Sequence, residues 1–510
     1  MSFYITCAID YPNSQPHIGT AYEKIAADAI ARYKRLAGEE VFFLMGLDEH
    51  SQNVERRALE QGLTPQAFTD QMEQVFRQAW AAVNVQFDDF IRTTEPRHRV
   101  AVEAMVARAE ASGDLYEGFY KGYYCVSCEA YYQERDLHDG KCPVHETEPE
   151  FREEANVFFR LSAYQERLQA HYEAHPEFVQ PDYRRNELLS LLNDGLEDIS
   201  VSRASEGWGI PMPGHEDQAV YVWFDALTNY LSATGFPEES ECYQKFWPAD
   251  VHLVGKDITR FHAIIWPAML MSAGVPLPKV IFGHGWVLTG GGRMSKSMGN
   301  VMDPVATAQR FGADALRYFL LREARLGRDF DYDHERLVAR YNHDLANDLG
   351  NLLQRTIGMA MKYSDGKLGG PSGDDVTGLG ALATEVEAEY RGGMEAYDLQ
   401  SGLLSAWKLI SAANLAVDTH KPWELAKNPD QAAELDAVLS EIAASLRQLA
   451  VLLYPFMPER ATAMAVALGV DADPEQWSLD GLSDTSLAPR QLHPSDPLFP
   501  RLDPEEVLEG

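Results

Sequence analysis

Two short segments of the chain carry side chains suited to binding phosphate. The first is Pro16-His17-Ile18-Gly19-Thr20, which follows a strand-like run and begins a stretch with helical spacing. A helix N-terminus offers N–H groups and a partial positive charge to phosphate. His17 adds a hydrogen-bond donor, and Gly19 lets a ligand approach the backbone closely. Alone, a His-x-Gly turn before a helix is more often structural, so this motif needs support from a second one.

The second segment is glycine-rich and basic, and it runs from Gly290 to Asn300. Its glycines precede Arg293, Lys296 and Ser297, an order typical of a mobile phosphate clamp. Lys296 is expected to meet the charge of a leaving pyrophosphate, as cations do in phosphoryl chemistry. A solvated surface loop is the alternative for any such segment, but the first motif in the same chain favours phosphate chemistry.

A third cluster has the ligand types and the spacing of a metal site: Cys125-x-x-Cys128 followed by Cys142-x-x-His145. Four such ligands in two close pairs suit one tetrahedral structural zinc ion, and they leave no open position for catalysis. The metal would stabilise a small unit that has little core of its own. Chance clustering of buried cysteines is the alternative.

The two phosphate motifs together resemble the HIGH and KMSKS signatures of class I aminoacyl-tRNA synthetases. Thr20 stands where HIGH ends in histidine, and Arg293 stands where KMSKS begins with lysine. Thr20 can still form a hydrogen bond with phosphate and Arg293 keeps the positive charge, so we expect altered detail and the same chemistry. The compact insertion and the local zinc ligands narrow the resemblance to the methionyl-tRNA synthetases with a single zinc knuckle, over nearly the whole chain. Synthetases for isoleucine, valine and leucine carry a larger editing insertion.

This resemblance implies a two-step reaction. The methionine carboxylate attacks the α-phosphate of ATP, and the terminal ribose hydroxyl of tRNA(Met) then attacks the methionyl-adenylate. The catalytic residues that it implies, all of them stabilising charge, are His17, Thr20, Arg293 and Lys296. The ATP-binding residues that it implies, with Mg²⁺ accompanying the ATP, are His17, Gly19, Thr20, Lys296 and Ser297.

The resemblance also implies a methionine pocket. The Ile9 backbone and Asp48 would hold the ammonium group. The residues that would enclose the thioether are Tyr11, Trp223, Ala226, Tyr230 and His262. Aromatic walls suit a polarizable sulfur, although core packing is the alternative for Trp223 and Tyr230. Ser51 and Leu227 stand where the family more often has glycine and proline.

The C-terminal part resembles the anticodon-binding helical bundle of the family. The resemblance implies that Asn351, Arg355 and Trp423 contact anticodon bases. Asn351 and Arg355 lie four residues apart, so they share a helix face. Single-stranded bases are read in this way, by stacking and by edge contacts. Ordinary exposed helix residues are the alternative.

The pattern of apolar residues indicates the elements that position these groups. Residues 3–9 and 41–47 are typical of buried strands, with helical spacing after each, and the pattern returns at 219–224, 250–255 and 279–284. Such alternation predicts an α/β fold with a Rossmann-like parallel sheet. From about residue 333 the pattern is almost entirely helical. We expect two catalytic halves at 1–117 and 219–287, a connective insertion with the zinc knuckle at 118–218, the phosphate loop and stem-contact region at 288–343, and an α-helical anticodon-binding domain at 344–510.

Composition sets limits on the partners. The 510 residues carry a net charge of −34, which argues against sequence-independent nucleic-acid binding, so we expect no DNA partner. No long apolar run predicts a membrane span, and the N-terminus lacks a signal-peptide pattern. Few, clustered cysteines are typical of a reducing compartment, so we expect a cytoplasmic protein. We also expect a monomer, because the chain ends without the appended domain that makes some relatives dimeric.

Two other functions stay open on the sequence alone. A nucleotidylyltransferase with a HIGH-type site could act on a small molecule without tRNA, but the helical C-terminal half argues against it. A non-catalytic zinc-containing RNA-binding relative could keep the fold, but the presence of His17, Asp48 and Lys296 argues against that.

Overall fold

The computed structural model describes residues 1–126, 130–132, 134–143, 146–204, 207–294, 300–371, 374–482 and 488–509. Cys128, His145, Lys296 and Ser297 lie outside the described residues. Among the described helices, none combines the length and the apolar composition that a membrane crossing requires.

The strands of the described residues form a large parallel sheet and three smaller sheets. In chain order the strands are β1 Ser2–Cys7, β2 Glu40–Leu47, β3 Asp89–Arg92, β4 Leu115–Cys125, β5 Ala130–Tyr132, β6 Glu150–Phe159, β7 Val179–Gln180, β8 Ile199–Ser200, β9 Ser202–Ala204, β10 Pro211–Met212, β11 His215–Val220, β12 Val251–Gly255, β13 Val280–His284, β14 Val287–Thr289, β15 Gly292–Arg293 and β16 Phe330–Asp331.

The parallel sheet has the strand order β3-β2-β1-β12-β13-β7. Every residue of β12 and β13 is buried, because a parallel sheet is covered by other elements on both faces and its strands become continuous apolar runs. The direction in which strands are added reverses between β1 and β12. Ligands bind at such a switch point, beyond the carboxyl ends of the strands. The edge strand β7 comes from within the stretch 118–218 that we expect to be an insertion.

The helices lie between the strands and then make up most of the chain after β16. They are α1 Ile18–Leu36, α2 Gln52–Glu60, α3 Pro65–Ala82, α4 Pro96–Ala111, α5 Gln165–Ala174, α6 Asp182–Asp194, α7 Val222–Leu227, α8 Asn229–Ser232, α9 Glu241–Phe246, α10 Trp266–Ala273, α11 Pro304–Phe311, α12 Ala313–Glu323, α13 His334–Arg340, α14 Asn351–Ser364, α15 Leu379–Glu395, α16 Leu399–His420, α17 Pro422–Leu425, α18 Ala432–Leu453, α19 Pro458–Leu468 and α20 Pro504–Glu509, with π-helical segments at Phe261–Ile265 and Tyr341–Gly350. The predicted α/β fold with a helical C-terminal part is confirmed.

One sequence prediction of an element is wrong. The apolar run 219–224 does not return to the parallel sheet, because β11 ends at Val220 in a small antiparallel sheet with β9 and β10. The helix α7 then begins at Val222. A short apolar run is compatible with either a buried strand or a buried helix, and periodicity alone does not separate them.

The helix α1 connects the parallel sheet to the C-terminal helices. Asp28 accepts a hydrogen bond of 2.6 Å from Arg317 on α12, and both side chains are fully buried. At the end of α1, Lys34 pairs with Glu395 of α15 at 2.8 Å. One hydrophobic core runs from one face of the sheet into these helices. The helix whose first turn carries His17 is therefore held at its other end by the helical part.

Candidate active site

A cavity of about 300 Å³ opens at the carboxyl ends of the parallel strands. The loops that follow β1, β2, β12 and β13 surround it, together with the first turn of α1. The sequence-predicted residues that line it are Ile9, Tyr11, His17, Gly19, Thr20, Asp48, Trp223, Ala226, Tyr230, His262 and Arg293. All the residues predicted to bind methionine therefore line one cavity. The residues predicted to act on ATP line the same cavity, as far as they belong to the described residues.

The first turn of α1 is organised by His17. The backbone N–H of Thr20 donates a hydrogen bond of 3.2 Å to His17 Nδ1, so a neutral His17 ring carries its proton on Nε2. A Cβ atom on Gly19 would lie 2.9 Å from the imidazole, which is closer than van der Waals contact allows. Glycine therefore allows this cap without displacing the imidazole, and the cap leaves His17 as a donor at a helix N-terminus.

The loop after β1 is tied to the end of β2. The backbone N–H of Asp10 donates to Gly46 O at 3.0 Å, and the N–H of Asp48 donates to Asp10 O at 2.9 Å. A Cβ atom on Gly46 would lie 2.1 Å from Ile91 O, so this approach requires glycine. Ile9 and Asp48, the two groups predicted to hold an ammonium ion, consequently sit on adjacent loops joined by backbone hydrogen bonds.

A buried group of charges lies beneath this loop. Lys24 Nζ is 2.7 Å from Glu23 and 3.1 Å from Asp10, and it donates to Ala8 O at 2.8 Å. The other Glu23 oxygen is 2.8 Å from His284 Nε2. Burial works to raise the pKa of Glu23, but Lys24 and His284 outweigh it and bring the pKa to about 2. Burial raises the pKa of Asp10 to about 6 although Lys24 opposes it.

The aromatic wall of the cavity fixes the state of His262. Its Nδ1 donates to Ile258 O at 3.0 Å, because a carbonyl can only accept, and its Nε2 accepts from Tyr230 Oη at 2.7 Å. Burial lowers the pKa of His262 to about 4, so the ring is neutral at pH 7. Beside it, Trp223 stacks on Phe261 with ring centroids 3.8 Å apart. This wall is apolar and uncharged, as a thioether requires.

Arg293 also lines the cavity. Its guanidinium is 3.1 Å from Asp257 and 3.8 Å above the ring of Trp286. Lys256 Nζ lies 3.9 Å from the same ring. Of these two cations, Arg293 lines the cavity, and Lys256 contacts a tryptophan ring that also lines it. The phosphate roles of Lys296 and Ser297 stay predictions, since both lie outside the described residues.

The structure describes two of the predicted zinc ligands. Cys125 ends β4 and Cys142 lies in a turn, and each is buried to 1% exposure. Both border Thr147: its hydroxyl is 3.6 Å from Cys125 Sγ, and its carbonyl accepts from the Cys142 N–H at 2.9 Å. Two buried cysteines that both contact Thr147 fit a structural zinc site. Cys128 and His145 lie outside the described residues, so the metal stays a prediction.

A different group of potential ligands lies on the π-helical segment Tyr341–Gly350. The ligand atoms of His343, Asp344 and Asp348 lie within 4.8 Å of one another. However, Asp344 accepts a hydrogen bond of 2.6 Å from Tyr318 and pairs with Arg340 at 3.3 Å. These partners explain the cluster as an ion-pair network, and we assign no metal to it.

The residues predicted to contact the anticodon lie together on the helical part. Asn351 begins α14 and is exposed. One turn later, the Arg355 guanidinium lies 6.0 Å from the ring centroid of Trp423 and pairs with Asp418 at 2.7 Å. Trp423 is half-buried in α17, which Pro422 begins. The structure brings the three side chains to one surface, and their contacts with RNA stay predictions.

Comparisons with known proteins decide the family. The family model described as tRNA synthetases class I (M) matches residues 3–148 and 133–357. The methionine–tRNA ligase of Caldanaerobacter subterraneus subsp. tengcongensis is 45% identical, over 99% of this chain and 80% of the relative. The chain belongs to the methionyl-tRNA synthetases. The Bacillus subtilis methionine–tRNA ligase is 44% identical over 99% of this chain and 79% of its own.

A solved structure from the same family agrees over the whole fold. The Mycobacterium tuberculosis methionyl-tRNA synthetase in complex with methionyl-adenylate superposes with a TM-score of 0.94 at 42% identity. The alignment covers 98% of this chain and 100% of that chain. The family resemblance inferred from the segments Pro16–Thr20 and Gly290–Asn300 is thereby confirmed.

Sequence reasoning about this synthetase missed several residues of the cavity. Glu23, Lys24, Asp257, His284 and Trp286 also line it. Glu23 and Lys24 look like ordinary solvated helix charges in the sequence. One signal could have found them: apolar residues recur on every face of α1, and nearly the whole helix is buried. A charged pair in such a helix has to be paired internally.

Proposed function

We propose that this chain attaches L-methionine to tRNA(Met) with ATP, through a methionyl-adenylate intermediate, and releases AMP and diphosphate. The observation that supports this most is the single cavity lined by the predicted methionine and phosphate residues. The structural relative that superposes over 98% of the chain holds methionyl-adenylate. The methionine–tRNA ligase activity needs no nucleophilic side chain, because the substrates supply both nucleophiles.

In the first step the cavity holds methionine beside ATP. The ammonium group binds the Ile9 carbonyl and the Asp48 carboxylate. The side chain enters the wall that Tyr11, Trp223, Ala226, Tyr230 and His262 form. The neutral His262 matters here, because an imidazolium would place a charge against an apolar thioether. Holding both reactants in place removes much of the entropic barrier to the attack.

The phosphates of ATP lie at the first turn of α1. His17 and Thr20 donate hydrogen bonds to them, and Gly19 allows the backbone to approach. Arg293, Lys296 and Ser297 contact the leaving diphosphate, and Mg²⁺ accompanies the ATP. These donors stabilise the charge that develops in the transition state, which is commonly the largest catalytic contribution.

In the second step the tRNA binds across the molecule. Asn351, Arg355 and Trp423 contact anticodon bases, Trp423 by stacking. The exposed Arg355–Asp418 pair is worth little on its own, so Arg355 can exchange Asp418 for a base or a phosphate. The terminal ribose hydroxyl then attacks the carbonyl of methionyl-adenylate.

The residues that would hold one structural Zn²⁺ are Cys125, Cys128, Cys142 and His145. Bound zinc would supply the cross-link between the two turns of the knuckle, with no part in the chemistry. We expect elemental analysis to find about one zinc per molecule, as four ligands of this type bind one ion. Cys125→Ser should lower that content, whereas Cys242→Ser, a thiol outside the cluster, should not. Equal zinc in both variants would remove this assignment.

The remaining proposals concern the state of the protein. We propose a monomer that works in the cytoplasm, with no DNA or membrane partner. Sedimentation at several concentrations measures the first of these directly, and a concentration-dependent dimer would contradict it.

Amino-acid-dependent ATP–pyrophosphate exchange tests the function. With all twenty amino acids tried separately, we expect exchange with methionine alone, followed by charging of tRNA(Met). Exchange that does not depend on methionine, with no charging of tRNA, would favour a nucleotidylyltransferase. Tight RNA binding without exchange would favour a non-catalytic RNA-binding protein. Either result would overturn the proposal.

A further inference from the structure

The methionine pocket is built from two segments that are far apart in the chain. Asp48 follows β2, whereas Trp223 and Ala226 belong to α7. Because Asp48 is assigned to the ammonium group and the two residues of α7 to the thioether, one methionine molecule spans both segments. Such a pocket fits its substrate only when the two segments are held at the matching separation.

A buried carboxylate on α7 connects these segments. Asp225, the residue before Ala226, is completely buried. One of its oxygens lies 2.8 Å from Nδ1 of His50, and the other lies 2.6 Å from Nε2 of His98 on α4. Burial works to raise the pKa of Asp225, but His50 and His98 outweigh it and bring the pKa to about 2. An ionised carboxylate can only accept, so both histidines donate to it.

The two histidines attach this carboxylate to different parts of the fold. His50 lies two residues after Asp48 in the loop that follows β2, so its hydrogen bond joins that loop to α7. His98 lies on α4, and its Nδ1 is 2.9 Å from Oγ of Ser232 on α8. The bond from His98 therefore holds α7 and α8 against α4 without touching the Asp48 loop.

The Asp48 loop is also held by the ends of two neighbouring strands. The N–H of Asp48 donates to Asp10 O at 2.9 Å, and the N–H of Glu49 donates to Thr93 Oγ1 at 2.9 Å. These bonds fix the loop relative to the segments that follow β1 and β3. The bond from His50 to Asp225 fixes it relative to α7, which is the separation that methionine spans.

We propose that Asp225 is a positioning residue for methionine, which acts through His50 to hold the Asp48 loop at a fixed separation from the thioether wall on α7. This inference rests on the proposed function, because the separation matters only for a substrate that uses both contacts. Asp225 itself touches no substrate. His98 holds the carboxylate from its other side, so that the carboxylate stays in place when His50 donates to it.

The test compares three single variants. His50→Leu removes the donor on the Asp48 loop, and the matched control His98→Leu removes the donor on α4. Each of these two variants leaves the same buried carboxylate with one partner fewer. His50→Asn keeps a donor, because the amide nitrogen of asparagine and Nδ1 of histidine are both bonded to Cγ.

Methionine-dependent pyrophosphate exchange separates the variants. His50→Leu should raise the methionine KM about tenfold, the usual cost of one hydrogen bond to a charged group, and should leave the ATP KM unchanged. His50→Asn should recover most of that loss. His98→Leu should lower the melting temperature, because it too leaves a buried carboxylate short of a partner, but its methionine KM should stay close to the native value.

A second ligand tests whether the separation is what matters. The des-amino analogue of methionine keeps the thioether and lacks the ammonium group, so it uses the wall on α7 without Asp48. Its inhibition constant against methionine-dependent exchange should therefore be the same in the native chain and in His50→Leu.

A native methionine KM in His50→Leu would overturn the inference. An equal rise in His50→Leu and His98→Leu would overturn it too, since a general loosening of α7 would then explain both. So would an equal loss of affinity for methionine and for the des-amino analogue, because the wall alone would be disturbed. Each of these results leaves the proposed function standing while the native chain shows methionine-dependent exchange. A native chain without that exchange overturns the proposed function, and this inference with it.

Discussion

The active-site cavity and the anticodon surface present their functional side chains in opposite ways. In the cavity, Lys24 and His262 are only 1% and 2% exposed, and each has its partners in place. On the helical part, Asn351 is exposed and Arg355 rests in an exposed ion pair. The same chain thus contains a site assembled in advance and a site that is completed by its partner.

The difference follows from the size of the ligand. Methionine offers few groups for contact, so the cavity has to fix the position and protonation state of each contacting side chain before methionine binds. The free energy of folding offsets the cost of holding these side chains in place. A tRNA offers many contacts over a large surface, so no single contact needs to be buried in advance. Substitutions in the cavity should therefore affect stability and chemistry together, whereas substitutions on the anticodon surface should affect tRNA alone.

The largest effect is expected for Lys24→Met. The substitution leaves Glu23 and Asp10 buried without their cation, and breaking a buried ion pair in this way costs about 3–5 kcal/mol. Urea unfolding measures that loss, and the methionine KM in pyrophosphate exchange should rise because the Ala8 carbonyl loses its donor. The control is Lys408→Met, whose exposed pair with Glu389 contributes at most about 1 kcal/mol. Equal destabilisation by the two variants would remove the contrast.

Lys296→Ala should come next. It should lower the rate of adenylate formation about 10²–10³-fold, the usual cost of one charged transition-state contact. Methionine binding, measured by calorimetry, should remain, because Lys296 is assigned to the diphosphate. Lys427→Ala on the helical part, where the lysine pairs with Glu424, should leave exchange unchanged. A normal exchange rate in Lys296→Ala would exclude the role.

The pH dependence of stability should report the buried His262. Its pKa is about 4 in the folded protein against 6.5 for the ordinary side chain. As the pH falls, the unfolded chain therefore binds a proton at this histidine before the folded protein does. The contribution of His262 to the free energy of unfolding is complete above pH 6.5 and is lost as the pH falls to 4. The loss is about 3 kcal/mol at 1.36 kcal/mol per unit of pKa. His262→Gln lacks this proton, so its free energy of unfolding should fall less across that window; parallel curves for the two proteins would contradict the assignment.

The smallest effect is expected for Trp423→Ala. The loss of one base stack should cost about 1–3 kcal/mol of tRNA binding, or roughly tenfold to a hundredfold in charging at limiting tRNA. Exchange should stay normal, and the melting temperature should fall less than charging does, because the ring is only half-buried against the core. Trp407→Ala is the opposite control, since Trp407 is buried against Tyr318 and its loss should lower the melting temperature. If charging by Trp423→Ala falls only as far as its stability falls, the anticodon role is wrong.

Local sequence patterns determined much of this protein. The strands that became β1 and β2 are continuous apolar runs. The start of α1 is marked by His17 and by Gly19, which leaves room for the imidazole of the cap. The helical C-terminal part was also predictable, since its 3.6-residue periodicity persists over many turns. These features depend on residues that are neighbours along the chain, so they can be predicted from the sequence alone.

The tertiary structure alone decided how distant groups meet. Lys24 and Glu23 look solvated in the sequence, yet Asp10 and His284 surround them because four strands end at one edge of the sheet. The run 219–224 became the end of a strand and the start of a helix, since its apolar side chains suit either and only packing decides. The neutral state of His262 likewise depends on burial, and its tautomer depends on the hydrogen bonds with Tyr230 and Ile258; no local pattern encodes either.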